Sequence, residues 1–336
     1  MIGTLLSSKK SDSKSGLRPV NIRTDLAQLA DLIELAFRDT MDDNGRAAIR
    51  EWRTMSSMGT LLGFLGRFNE LALGIGSGYV WLEDNRIVGN VSIYPARWSR
   101  QVGKAWLIAN VSVHPDYQRR GIARQLMQAS LDMIRGKGGQ QAILQVDYDN
   151  DAALNLYDNM GFIRERAFTT WSRSAILSSP LAHDIDNTFI THPRRSDWQA
   201  EYALAQSQRP NMKGGIGWLK PVHQGLFQPS ILDSILRSLS FNSTERLIIR
   251  ADDSQQIAAT LWIEKGVTMI STRLVLMVDS KHFVPYAEIL LNSALRRFRT
   301  TSMMIEHPHD DEQATDLLKR YRFRPQRTLW HMRTEL

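Results

Sequence analysis

The end of the first half of this chain is written again at the end of the second, and this limits the possible folds more than any other feature. DNDAALNLYDNMGFIRERAFTTWSR closes the first half and HDDEQATDLLKRYRFRPQRTLWHMR closes the second. When Phe162 is set on Phe323, Ala153 falls on Ala314 and Leu156 on Leu317. Self-similarity on this scale means two copies of one plan. Upstream segments agree. YVWLEDNRIVGNVSIY and LIIRADDSQQIAATLWI both read as strand, turn, strand, and the helices beginning near Ile122 and Pro285 occupy matching places. A length of 336 residues accommodates two domains with substantial cores.

In the first copy, LRPVNIRT reads as a strand from Leu17. A helix follows from Asp25 to Arg38, with Leu26, Leu29, Ala30, Ile33 and Phe37 on one face and Thr24 as its expected N-cap. A further helix spans about Arg46 to Ser57, and Asp84-Asn85 is a hairpin turn. A strand from Trp106 to Val113 stops at His114-Pro115, and a helix from Ile122 stops at the glycines after Arg135. AILQVDY, a short helix from Ala152 to Met160 and a strand around Phe168 to Ser172 complete the copy. Strands alternate with helices only in part. The expected fold class is therefore α/β with an α+β-like mixed sheet covered by helices on both faces. The expected segments are a flexible tail, residues 1–16, a first domain, 17–176, a linker at LSSPLAH, 177–183, and a second domain, 184–336.

Composition narrows the function. A formal charge of +7 and a pI near 9.7 suit an anionic partner: a nucleotide cofactor, nucleic acid or a membrane surface. No aromatic-basic module or zinc spacing accompanies the charge, so nucleic acid is not expected. The absence of cysteine excludes disulfides, thiolate metal sites and cysteine nucleophiles. The eight histidines have no metal-ligand spacing, so no metal is expected. The amino terminus lacks a signal-peptide pattern, and no apolar run reaches membrane-spanning length. Met58 to Ile75 is interrupted by Arg67, Asn69 and Glu70 and reads as a buried helix or loop. A cytoplasmic location is expected.

VSVHPDYQRRGIA, Val111 to Ala123, carries the chemistry. A strand leads through a turn into a helix, and Gln118 to Ala123 fit Q/R-x-x-G-x-G/A. Unpaired N–H groups at a helix start, with the positive end of its dipole, can hold phosphate oxygens. Gly121 and Ala123 keep bulk away from the backbone, and Arg119 and Arg120 add positive charge. Read alone, the hexapeptide is more simply an exposed turn before a surface helix.

In context these residues resemble the acyl-CoA-binding motif of the GCN5-related N-acetyltransferase (GNAT) superfamily. A second signature agrees: VDYDNDAALNLYDNMGF, Val146 to Phe162, is similar to the family's V-x-x-x-N-x-x-A-x-x-L-Y-x-x-x-G-F. The resemblance spans about Leu17 to Ser174 and implies two tandem GNAT-like acyl-CoA N-acyltransferase domains. It implies that Val111 and Val113 offer strand backbone to the pantetheine arm of acetyl-CoA. Gln118, Arg119, Arg120, Gly121, Ile122 and Ala123 would hold the pyrophosphate, Asn150 would touch the cofactor arm, and Tyr157 would protonate the departing thiolate. Each residue also has a plainer reading: strand core for the valines, a helix cap for Asn150, a packed aromatic for Tyr157.

The second copy departs from the pattern. Leu318 stands for Tyr157, Arg322 for Gly161 and Asp311 for Asn150, and MVDSKHFVPYAEI has no glycine-containing phosphate loop. A degenerate copy that kept its core and lost cofactor binding is expected. Direct transfer to a primary amine needs a base. Asn110 stands where some relatives have an acid and cannot serve, which leaves Asp147 as a weak candidate. The acceptor, a small-molecule or peptide amine, is not legible. A catalytically silent acyl-CoA-binding sensor is the alternative. The tandem copies suit a monomeric pseudo-dimer or a homodimer.

Overall fold

The computed structural model describes residues 15–38, 41, 43–57, 77–96, 98–99, 101–175, 190–228, 243–251, 256–266 and 271–336. Most of the expected tail, the segment Met58 to Ile75 and the LSSPLAH linker lie outside them. By compactness the chain divides into two units. One takes Met1–Ala96, Lys104–Ile143 and Glu335–Leu336; the other takes Arg97–Gly103 and Leu144–Thr334. Among the described residues no helix is long and apolar enough to cross a membrane.

The first unit contains β1 (Gly16–Pro19), α1 (Ile22–Ala36), α2 (Asp43–Ser57), β2 (Gly78–Glu83), β3 (Arg86–Pro95), β4 (Ala105–Val113), α3 (Ile122–Gly136) and the opening of β5 (Gln141–Asp147). β1 to β4 form an antiparallel meander. β4 then pairs with β5 in parallel, from Ala105↔Gln141 to Leu107↔Ile143. The β2–β3 turn is the expected one: Asp84 and Asn85 have φ of 48° and 64°, the left-handed pair that lets a two-residue turn match strand twist. α3 packs on β2, β3 and β4 through Ile122, Leu126, Met127 and Ile134, all buried. Fully burying a side chain of this size stabilises by about 1.5–3 kcal/mol.

Helix α1 begins earlier than its apolar periodicity indicates. Asn21, not Thr24, is the N-cap, accepting from the Arg23 amide at 3.1 Å. Thr24 sits in the first turn and donates to Asp25 Oδ1 at 2.9 Å. The cause is the buried Asp25 carboxylate. It holds Arg18 at 2.6 and 2.9 Å and accepts from the Asn21 amide at 2.8 Å, which fixes the chain before the helix. Burial pushes this carboxyl up, but Arg18 and the Asn21 and Thr24 donors together hold it below its ordinary value.

The second unit contains the rest of β5, then α4 (Asp151–Asp158), β6 (Ile163–Arg173), β7 (Ile190–Thr191), α5 (Trp198–Gln208) and α6 (Gln224–Phe227). It continues with β8 (Ser243–Arg250), β9 (Ile257–Lys265), β10 (Thr272–Val278), α7 (Phe283–Arg297), β11 (Met303–Pro308), α8 (Glu312–Arg320) and most of β12 (Arg324–Glu335). The order β12-β6-β11-β10-β9-β8-β7 is mixed, with β10 and β11 parallel and the other recorded pairs antiparallel. β6 ends the first sequence copy, yet it lies between β11 and β12, the last two strands of the second. One apolar cluster joins Trp171 on β6 to Leu261, Leu276, Leu290, Ile305 and Leu317.

The repeat in the letters is also a repeat in geometry. β10–β11 pairing runs over three positions, Thr272↔Met303 to Leu274↔Ile305, as β4–β5 pairing does. Asn150 caps α4 through the Ala153 amide at 3.1 Å, and Asp311 caps α8 through the Ala314 amide at 3.0 Å. The turns that follow both need a left-handed residue: Gly161 at φ 84° and Arg322 at φ 61°.

Candidate active site

In the first unit, β4 carries a bulge. Its register against β3 jumps from Ser112↔Asn90 to Ala109↔Ser92, and Asn110 adopts φ 52°. An extra residue of this kind re-aims the strand end. The bulge is pinned by Asn110 together with Asn90, Ser92 and Tyr94, which the sequence did not single out. Asn90 donates to the Asn110 carbonyl at 3.0 Å, and Asn110 donates to Ser92 Oγ at 3.2 Å. Tyr94 hydrogen-bonds to Ser92 and Asn110, while burial pushes its phenol up. Beyond the bulge, Val111 and Val113 are half-buried, and the Ser112 hydroxyl between them is buried without a partner among the described residues.

The loop after β4 folds as an open cradle. A 3-10 turn, Pro115–Tyr117, is held by the Asp116 amide on His114 Nδ1 at 3.3 Å. The Gln118 amide goes to Pro115 O at 3.3 Å, and the Gln125 amide opens the helix ladder on Gly121 O at 3.1 Å. Between them, the amides of residues 119–124 have no backbone partner among the described residues. Gly121, at φ 77°, is the N-cap of α3 and offers no side-chain cap, and the first turn has no acidic residue. Nothing lies within 4 Å of a side chain built on Gly121. Free amides, an unopposed dipole and open space together describe an anion seat.

The flanking side chains have separate duties. Gln118 donates to Val113 O at 3.2 Å, tying the loop to the strand end. Arg119 is exposed at φ 61°; Arg120 donates to Asp116 O at 2.8 Å and lies 4.8 Å from the Tyr117 ring centroid. The Ile122 side chain is buried, so only its amide is available to a ligand, and Ala123 is half-buried. A further contributor is Gly89 on β3. A Cβ there would meet Ile122 Cγ2 at 2.9 Å and Leu126 Cδ1 at 3.0 Å. The start of α3 is seated on that missing side chain.

The remaining expected residues lie in the second unit. Asn150 spends its Oδ1 on the α4 cap. Tyr157, on α4, is 6% exposed with its ring 5.9 Å from Phe162. Burial pushes its phenol well up, with no charged or hydrogen-bonding neighbour contributing, so it stays protonated at neutral pH. Asp147 is forked by Arg327, Nε to Oδ1 at 2.6 Å and the second nitrogen to Oδ2 at 2.8 Å. Both oxygens of that carboxylate are engaged, which weighs against a role as proton acceptor.

In the second copy the cradle is gone. The 3-10 turn Ser280–His282 runs directly into α7, whereas four residues, Gln118 to Gly121, separate the matching turn from α3. Pro285 also removes an amide from the first turn. The copy kept its core and lost the loop.

Comparison with known proteins agrees with this geometry. The "Acetyltransferase (GNAT) family" profile matches residues 39–162. N-alpha-acetyltransferase 30 of Schizosaccharomyces pombe is 35% identical over 86 residues, 26% of this chain and 57% of that protein. The alignment thus spans little more than half of the relative. A GCN5-related N-acetyltransferase from Sphaerobacter thermophilus has the same fold, with a TM-score of 0.55, 15% identity and 95% of each chain covered. A tandem GNAT protein from the clavulanic acid biosynthesis pathway aligns over 96% of this chain and 98% of its own, with a TM-score of 0.50 and 14% identity. The chain therefore has the fold of a tandem GNAT protein, and residues 39–162, in its first copy, match the acetyltransferase (GNAT) family profile.

Proposed function

We propose that this protein is an N-acetyltransferase that moves an acetyl group from acetyl-CoA to a primary amine by direct transfer in a ternary complex. The observation that carries the reading is the run of unpartnered amides from 119 to 124 around left-handed Gly121. It is suited to the pyrophosphate of a CoA thioester, with Val111 and Val113 offering backbone to the pantetheine arm. The cosubstrate supplies an activated acyl group. The chain's own residues position it and manage protons. Tyr157 is the acid that protonates the leaving thiolate, a role that its neutral phenol supports. With Asp147 forked by Arg327, proton removal from the amine falls to water or to the acceptor's surroundings. The absence of cysteine fits one-step transfer without a covalent acyl relay. The similarity to N-alpha-acetyltransferase 30 favours an α-amino acceptor, as in a peptide N-terminus.

The test is thiol release from acetyl-CoA across a panel of peptide and small-molecule amines, paired with calorimetry using CoA. The cysteine-free chain gives no background with a thiol reagent. Tyr157→Phe should lower turnover by about 10²–10⁴ with CoA affinity retained. Full activity in that variant removes Tyr157 from the mechanism. CoA binding with no turnover on any amine makes the protein a sensor, and no CoA binding ends the proposal.

A further inference from the structure

The second copy lost its phosphate loop but kept a cavity. About 360 Å³ opens in the second unit, lined by the ends of β10 and β11 and the starts of α7 and α8. This is at the small end of ligand pockets, which run about 300–1,000 Å³. Its wall is apolar at Leu276, Val278, Phe283 and Pro308, and its charged lining comprises Arg166, Arg209, Asp310, Asp311 and Glu312.

Arg209 follows α5 and is 3% exposed. One terminal nitrogen donates to Leu276 O at 3.0 Å and to His307 Nδ1 at 2.9 Å. The other, Nη1, is buried with no hydrogen-bond partner among the described residues. His307 in turn donates from Nε2 to Asp311 at 2.9 Å, which fixes its tautomer as an acceptor toward Arg209. The guanidinium is thus held by two neutral acceptors and touches no carboxylate directly. Of the nearby acids, Asp310 pairs with Arg166 at 2.8 Å, Asp311 with His307 and the α8 cap, and Glu306 with Arg273 at 2.7 Å, while Glu312 lines the same cavity. A buried cation in this condition is costly unless an anion completes it.

We propose that this cavity binds a small organic monocarboxylate, its carboxylate on Arg209 and its apolar body against Leu276, Val278 and Phe283. The cavity acids repel a doubly charged phosphate more than a singly charged carboxylate. The lost loop removes the means of holding a CoA pyrophosphate there. The inference stands apart from acyl transfer in the first copy.

Benzoate is the probe, titrated calorimetrically into the full chain, with benzyl alcohol as its neutral counterpart and inorganic phosphate as the competing anion. Saturable benzoate binding is expected, unaffected by saturating CoA and weakened at least about tenfold by Arg209→Met. Ser280 is exposed at the cavity wall, so Ser280→Trp obstructs the space without disturbing the core. It should abolish binding even if Arg209→Met fails to fold. The proposal is overturned by absence of benzoate binding, by equal binding of benzyl alcohol, by tighter binding of phosphate, by displacement with CoA, or by binding that survives Ser280→Trp.

Discussion

Asp147 and Arg327 form a two-point ion pair, 2.6 and 2.8 Å, between the β5 strand of the first sequence copy and the β12 strand of the second. A fork of this kind adds direction as well as charge. It engages both oxygens of the one acidic residue that the sequence put forward as a base. Asp147→Asn should leave turnover within about threefold of the parent, against the 10²–10⁴ that loss of a general base costs. It should lower stability by about 1 kcal/mol or less, because Arg327 is 38% exposed and solvent screens the pair. Steady-state kinetics with chemical denaturation checks both, and a hundredfold loss of turnover would return Asp147 to the chemistry.

Gly89 supports the proposed cofactor seat from below. A Cβ at 2.9 Å from Ile122 Cγ2 and 3.0 Å from Leu126 Cδ1 must displace these side chains, which seat the start of α3. Gly89→Val should cost about 1–3 kcal/mol by overpacking. It should also weaken CoA at least about tenfold, since charged hydrogen bonds depend on position. Gly121→Ala tests the other requirement. Space is open there, so the expense is the left-handed φ of 77°, about 1–2 kcal/mol. Calorimetry and melting curves on both variants separate crowding from backbone strain.

Arg322 occupies a left-handed turn that Gly161 fills in the first copy. Burial and the charge of Arg322 both push the Arg173 guanidinium below its ordinary value. Arg322→Gly should therefore raise stability, by about 0.5 kcal/mol after the extra freedom that glycine gives the unfolded chain. Arg322→Ala, which keeps a Cβ at positive φ, should gain less. Equal gains from both would mean that charge relief, not backbone strain, is responsible.

His307 makes the second unit sensitive to acid. Burial and the neighbouring Arg209 charge lower its pKa from 6.5 to about 4. The unfolded chain takes up the proton first on acidification, so this contribution is complete above about pH 6.5 and is lost as pH falls towards 4. The total is on the order of a few kcal/mol. His307→Asn keeps an acceptor for Arg209 and removes the titration. Its unfolding free energy should vary less between pH 6.5 and 4 than the parent's; parallel curves would refute the assignment.

Much of the fold was legible because it rests on local rules. Apolar spacing marks α3, Asp84-Asn85 marks a turn that only left-handed residues make, and the proline after His114 marks the end of β4. The cradle was legible for the same reason: Gln118 to Ala123 are contiguous, and a glycine before a helix has few alternatives. The α1 cap was misplaced because Asp25, a buried carboxylate paired with Arg18, sets the helix start through contacts that periodicity does not encode.

By itself the sequence determined the doubling of one plan, the presence of one glycine-bearing loop before a helix and the loss of the other, since each is written in neighbouring residues. Only the tertiary structure decided that β6 lies between β11 and β12, that Arg327 holds Asp147, and that Arg209 lines a cavity with one nitrogen unmatched. These strand partners and side-chain contacts join residues from 67 to 180 positions apart. Their energy depends on packing and desolvation at the meeting point, which no local pattern records.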